Sequence, residues 1–253
     1  MAAHLARVQG DAVHATVLFE ACLVRSVAAG DTQGRARALH SLGLVAAEGG
    51  ALARAVTLHA EALTLARMQQ DALGVAYMLA TLADVRRAQG ESEDAAALLE
   101  ESLGLQRQVG NGWGIAQVLA RLGDLACDVG AWQRAANLYA ESLAVQGATN
   151  TLLGQPAILD GVARVATAHG HLQMAAQLLG AAESLRTVLG TPMTSIEAAA
   201  GAETAAALQQ VLGMARLAEA RAGGRAWPHM EAAATARYLA AKVSAETGDR
   251  NAG

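Results

Sequence analysis

At 253 residues the chain could bury a large core, and a 53% hydrophobic share rich in alanine, with 3% aromatics and three prolines, favours close-packed helices. The formal net charge of -4 excludes a general nucleic-acid binder, which needs a basic stripe to displace counterions. With no run of about 18 uncharged apolar residues and no basic-then-apolar start in Met1 to Arg7, neither a membrane span nor a signal peptide is expected.

In chain order, a glycine returns at a step of 40 residues, at Gly10, Gly50, Gly90, Gly130 and Gly170. A second keeps the same step at Gly34, Gly74, Gly114 and Gly154, and so do Ala15, Ala55, Ala95, Ala135 and Ala175 with Leu18, Leu58, Leu98, Leu138 and Leu178. A fixed period of about 20–50 residues marks a solenoid of stacked units, each touching only its neighbours.

Residues 1–34 read as a partial repeat that lacks the start of its first helix, since Met1 aligns with Ser41 and Thr81. Its apolar edge at Leu5, Val8, Val13 and Val17 could stack against another copy, so a homo-oligomer through this truncated repeat is one expectation. Full repeats are expected at 35–74, 75–114 and 115–154, with a divergent one at 155–194. In the first of these, helix A spans about Arg35 to Gly49 with an apolar stripe at Leu39, Leu42, Val45 and Ala46. Gly50 stands where a left-handed residue ends that helix, and helix B spans about Leu52 to Gln69. Gln70, Asp71 and Gly74 are expected to turn the chain into the next helix A, which Asp71 caps as Asp31 and Asn111 do in their repeats. Gly43, Ala83, Gly123 and Ala163 in the A helices, and the alanine series in the B helices, are expected to face one another as small residues.

The period fails at Gln210. After the repeat that ends at 194, residues 195–246 are expected to form capping helices, and 247–253 a disordered tail. Cys22 and Cys127 have no metal-ligand spacing and fit a reducing cytoplasm as small seam fillers.

The pattern Leu39, Leu42-Gly43, Ala46, Gly50, Ala55, a large residue at 59 and Ala62 resembles the tetratricopeptide repeat, whose minimal unit is about 34 residues. The site after Leu58 holds Phe19, His59, Leu99, Tyr139 and Leu179 in turn, so the family's aromatic positions are thinned, and its closing proline is absent. Longer repeats with an Asp-x-x-Gly joint, Asp31–Gly34 and Asp71–Gly74, are similar to those C-terminal to the ATPase module of bacterial STAND regulators. The order Leu178-Leu179-Gly180-Ala181-Ala182-Glu183, a Gly190–Pro192 break, a long helix, Gly223-Gly224-Arg225 and a last alanine helix is similar to the tail of LuxR-type transcriptional regulators. The resemblance implies an all-α fold, a right-handed superhelical solenoid of antiparallel helix pairs with a C-terminal helical cap.

No phosphate-binding loop can form where Lys242 is the only lysine, and no nucleophile elbow or His-Glu-x-x-His helix occurs. His169-Gly170-His171 reads as a solvated turn, because a zinc site normally needs three protein ligands. The acidic clusters at Glu91–Asp94 and Glu100-Glu101 read as solvent-facing, while His14, His40, His59 and His229 read as seam or groove residues. Neither an enzyme nor a cofactor or metal is expected.

By the resemblance, the A helices line a concave groove. The positions carried over are Arg37, His40 and Leu44, then Tyr77, Thr81 and Asp84, then Gln117, Arg121 and Asp124, and last Asp160 and Arg164. They lack the lysine/asparagine set of domains that clamp a chaperone's C-terminal carboxylate. The expected function is a non-catalytic, cytoplasmic sensing module of a bacterial signal-transduction or transcriptional regulator. It would bind a protein, peptide or small effector in the groove, without direct nucleic-acid or membrane contact. The alternative is a stand-alone scaffold that self-associates or bridges partner proteins.

Overall fold

The computed structural model describes residues 2–193 and 195–250. Among them are helices only. The first are α1 (Ala2–Val8), α2 (Ala12–Ala28), α3 (Thr32–Glu48), α4 (Leu52–Met68), α5 (Ala72–Ala88), α6 (Ser92–Gln108) and α7 (Gly112–Asp128). Then follow α8 (Trp132–Thr149), α9 (Gln155–Ala168), α10 (Leu172–Leu189), α11 (Ser195–Leu212), α12 (Met214–Arg225) and α13 (His229–Arg250). The chain divides into two compact units, Met1–Gly114 and Ile115–Gly253. No described helix is long and apolar enough to cross a membrane.

In the first unit each helix from α1 to α6 packs on the next, through joints too short for anything but an antiparallel turn. The A-to-B joint shows why. Gly50 adopts φ +77°, the Ala51 amide donates to the Ala46 carbonyl at 2.8 Å, and the Gly50 amide donates to Ala47 at 3.0 Å. That is the Schellman closure, which satisfies the last carbonyls of α3. Gly10, Gly90, Gly130 and Gly170 take the same backbone conformation.

The B-to-A joint differs from the sequence expectation. α3 starts at Thr32 and α5 at Ala72, so Gly34 and Gly74 lie inside the first helical turn and do not bend the chain. The Asp31 carboxylate accepts from the Gly34 amide at 2.8 Å, and Asp71 does the same for Gly74 at 2.9 Å. A Cβ on Gly34 would lie 2.2 Å from the Asp31 oxygen, so glycine is needed there as room for the cap. The turn itself sits one residue before Asp71, at Gln70 with φ +56°, and its equivalents Gly30, Gly110, Asn150 and Gly190 share that conformation.

Small residues do not simply face small residues. A Cβ on Gly43 would meet the His59 ring at 2.6 Å, and one on Gly123 would meet the Tyr139 ring at 2.6 Å. The small site of helix A is a notch for the large side chain of helix B. Ala83 and Ala163 hold the notch in the repeats whose B helix carries Leu99 and Leu179. The B-helix alanines Ala15, Ala55, Ala95, Ala135 and Ala175 are completely buried.

In the second unit α8, α9 and α10 pack in succession, α11 lies on α9, and α13 runs back along α8 and α9. Gln133 donates to the Ser244 carbonyl at 3.0 Å, and the Ser244 hydroxyl donates to Asn137 at 2.6 Å. α10 and α12 cross at backbone contact. A Cβ on Gly180 would lie 2.0 Å from the Arg221 carbonyl oxygen, and one on Gly224 would lie 1.8 Å from that of Gln177. Glu183 bonds both Arg221 and Arg225 beside this crossing. Helix α13 continues to Arg250, through the first residues of the run expected to be disordered, because no proline interrupts its ladder; residues 251–253 lie outside the described residues. Cys127 is buried as expected, whereas Cys22 is exposed on α2 and fills no seam.

Replacing Gly123 with valine should cost about 1–3 kcal/mol by forcing Tyr139 from its notch. Gly104→Ala, at an exposed helix-interior site with nothing within 4 Å of the added methyl, should gain about 0.5–1 kcal/mol. Chemical denaturation followed by circular dichroism reads both, and equal effects from the two would contradict the notch.

Candidate functional site

In the first unit, successive A-side helices α1, α3 and α5 and the α4–α5 turn enclose a cavity of about 460 Å³. Four of the positions expected on the ligand face meet here: Arg37, His40 and Leu44 from α3 and Tyr77 from α5. Arg37 and His40 are three apart on one helix, so the helical period brings both to the same face. Ala36, Ala66, Leu73 and Met78 supply apolar wall, while His4 and Arg7 come from α1. The last two were not anticipated, because groove positions are read from the complete repeats alone; stepping the 40-residue period back from Leu44 lands on His4, whereas Arg7, aligned with Ala47, has no groove equivalent.

His40 is only 7% exposed, and neither of its ring nitrogens has a hydrogen-bond partner. Behind it His59 is completely buried, also with both nitrogens unpartnered. The two rings lie 5.1 Å apart, and the Tyr77 ring is 4.9 Å from His40. Each unmet polar group of this kind costs about 1–3 kcal/mol. Burial pushes the His40 pKa down to about 3, with His59, Arg7 and His4 adding repulsion. Burial alone takes His59 down to about 4. Both rings are therefore neutral near pH 7.

The remaining charges round the cavity are unequally committed. The Arg7 guanidinium is paired with Glu48, yet its buried Nε–H has no acceptor. Arg37 is exposed at the rim with no acidic partner among the described residues. Asp71, the one carboxylate of the lining, accepts from the Gly74 amide and is occupied as a helix cap.

The other expected positions are engaged elsewhere. Thr81 is buried, its hydroxyl donating to Met78 and Tyr77 carbonyls of its own helix at 3.0 and 3.3 Å. Asp84 is half-buried on α5 and does not line the cavity. In the second unit Gln117 donates to the Leu153 carbonyl at 3.2 Å and so pins the α8–α9 loop. Arg121 reaches the Gln117 carbonyl at 3.5 Å. Asp124 accepts from the buried Tyr139 hydroxyl at 2.6 Å, where burial and that carboxylate hold the phenol well above its ordinary pKa. Asp160 is bonded to Arg186 at 2.5 Å, and burial raises its pKa to about 6 against the pull of that cation. Arg164 pairs with Asp128 at 2.9 Å and lies over the Trp132 ring, 6.0 Å from its centroid. Gln117, Asp124, Asp160 and Arg164 thus tie neighbouring elements together, Thr81 and Arg121 bond within their own helices, and the cavity of the first unit is the candidate site. Among the described residues no cluster of three metal-ligating side chains occurs.

The histidine pair sets a pH response. Unfolded histidine binds its proton near pH 6.5 and the folded pair only near 3 to 4, so stability is complete above about pH 6.5 and is lost as pH falls toward 4. For His59 alone the loss between pH 7 and pH 4.5 is about 2 kcal/mol. Urea titrations at the two pH values should show His59→Leu, the residue type at two equivalent positions, losing less stability on acidification. An identical loss in both proteins would contradict a buried neutral His59.

No protein-family model and no curated protein matches the chain. Solved structures do. BtubC (BKLC) from P. vanneervenii aligns over 76% of this chain and 79% of its own with TM-score 0.60 at 20% identity. A putative kinesin light chain of Podosopora anserina with nearly identical TPR-like repeats aligns over 75% and 94% with TM-score 0.56 at 19% identity. A glutamine-to-methionine variant of that protein gives TM-score 0.56 at 20% identity, over 75% and 93%. At such identities the likeness is one of fold: the chain is built of TPR-like helical repeats.

Proposed function

We propose that this protein is a non-catalytic binding module of a bacterial signal-transduction or transcriptional regulator, capturing a protein, peptide or small effector between α1, α3 and α5. The observation that carries the reading is the cavity where Arg37, His40, Leu44 and Tyr77 meet, because those positions are the ligand-facing ones of a TPR-like helix pair. The TPR-like fold supports an interaction role, and the tail order from Leu178 to Arg225 supports the regulator context. An occupant would act by preferring one arrangement of these helices, since only differential affinity shifts a conformational equilibrium.

A thermal-shift screen of mixed peptides and metabolites tests this. A specific ligand at about a hundred times its Kd stabilises the wild-type chain by about 2.7 kcal/mol. Arg37→Glu with Tyr77→Ala, both exposed, should fold normally and lose that stabilisation. Stabilisation equal in the two proteins, or none from any compound, would sink the reading. An in-frame ATPase or DNA-binding module in the same gene would support the regulator context, and a gene without one would favour the scaffold.

The scaffold reading has its own observation. Leu5, Val13 and Val17 are 56%, 79% and 57% exposed, and α2 adds Val24 and Val27 at 68% and 57%. Val8, named with them from the sequence, has its side chain outside the described residues. An apolar face of this kind favours self-association. Light scattering over a concentration series should then show a dimer that dissociates on dilution and that Val13→Glu abolishes; a strict monomer excludes it.

A further inference from the structure

We infer that the cavity between α1, α3 and α5 is a site for a small organic carboxylate, an anionic head on a compact apolar body. This deepens the proposed binding role and rests on it. The volume, about 460 Å³, lies in the range of small-molecule sites and is too confined for a folded partner.

The charge of the occupant follows from an imbalance of donors. The Arg7 Nε–H is buried without an acceptor, the Arg37 guanidinium stands at the rim without an acid, and His40 is buried with both nitrogens unpartnered. Asp71, the only acid in the lining among the described residues, turns one carboxylate oxygen to the Gly74 amide at its own helix start and pairs with neither Arg7 nor Arg37. Arg37 at the rim, with the Arg7 Nε–H and the one N–H of neutral His40 beneath the wall, leaves donors in excess, which suits a ligand that only accepts. A carboxylate offers two oxygens, and the planar fork of Arg37 matches them. The rest of the wall, Ala36, Leu44, Ala66, Leu73 and Met78 beside the Tyr77 ring, suits hydrocarbon and excludes a bare inorganic anion as the best occupant.

The repeat supplies an internal comparison. Where this repeat has His40 the next ones have Ala80, Ala120 and Asp160, and where it has His59 the others have Phe19, Leu99, Tyr139 and Leu179. The fold is thus made elsewhere without this histidine pair, so the pair answers a local requirement. The charged and titratable groups facing His40 are His4 and Arg7 from α1, Arg37 from α3, His59 from α4, and Asp71 and Tyr77 from the α5 side. An anion beside the Arg7 and Arg37 guanidiniums favours the protonated form of His40, so binding should raise the His40 pKa and tighten as pH falls toward it.

The test uses the full chain and three acids, benzoate, phenylacetate and hexanoate, against benzamide and inorganic phosphate. Calorimetry gives affinity and proton uptake, and nitrogen-15 shifts of the imidazoles report His40 directly. At least one acid should bind saturably, about tenfold tighter than benzamide or phosphate, and shift the His40 ring signals. Arg37→Met, at an exposed site that leaves folding intact, should weaken it about tenfold. Equal binding of benzoate and benzamide, binding untouched by Arg37→Met, or His40 signals unmoved by every acid overturns the inference. If peptides still stabilise the chain in a Tyr77-dependent way while no acid binds, this inference fails and the binding-module reading stands. If neither class binds, both fail.

Discussion

The distance between paired helix backbones is set by the largest side chain that must fit between them, and here each pair meets that limit by matching a notch to a knob. Gly43 opens α3 for the His59 ring. Tyr139 fills the space left by Gly123 on one side and Gly161 on the other, where a methyl would fall within 2.6 Å and 2.3 Å of its ring. Alanine serves where the knob is Leu99 or Leu179. At the α10–α12 crossing the limit is reached with no knob at all, glycine meeting backbone carbonyl directly. Packing at interior density tolerates neither an added nor a missing methylene at such places, so the small positions hold the pairs in register.

Charge plays a smaller part in the first unit. Arg54–Glu20 and Arg67–Glu101 tie helices of neighbouring pairs together at 3.5 and 2.7 Å, but their side chains are about half exposed. Pairs of that kind contribute little to stability. Glu101, read from sequence as merely solvent-facing, is one of them. The partly buried Asp160–Arg186 pair of the second unit is another matter, since removing one partner leaves a charge without compensation.

The fold was legible because its rules are local and repeated. Gly50 and its equivalents announce a left-handed helix end in every unit, and Asp31, Asp71 and Asn111 announce the starts. The second left-handed series was hidden, because Gln70 and Asn150 interrupt the glycines at 30, 110 and 190. The site was less legible for a related reason. Periodicity names a position but not what fills the space in front of it. Gln117 is spent on Leu153, Asp124 on Tyr139 and Asp160 on Arg186, three partners that no period of one helix reveals. The tail motifs around Gly180 and Gly224, noted as separate signatures, are two halves of one helix crossing.

The notches also set a grammar for the array. All A helices share one register and all B helices another, yet a glycine notch built for a ring and an alanine notch built for leucine are not interchangeable. Joining α5 to α8 would drive Tyr139 against Ala83, and joining α7 to α6 would leave Leu99 beside the empty face of Gly123. Such a chain can therefore recombine only where a knob keeps all its notches, and Tyr139, housed by Gly123 in α7 and by Gly161 in α9, binds α8 to the pair that follows as well as to its own.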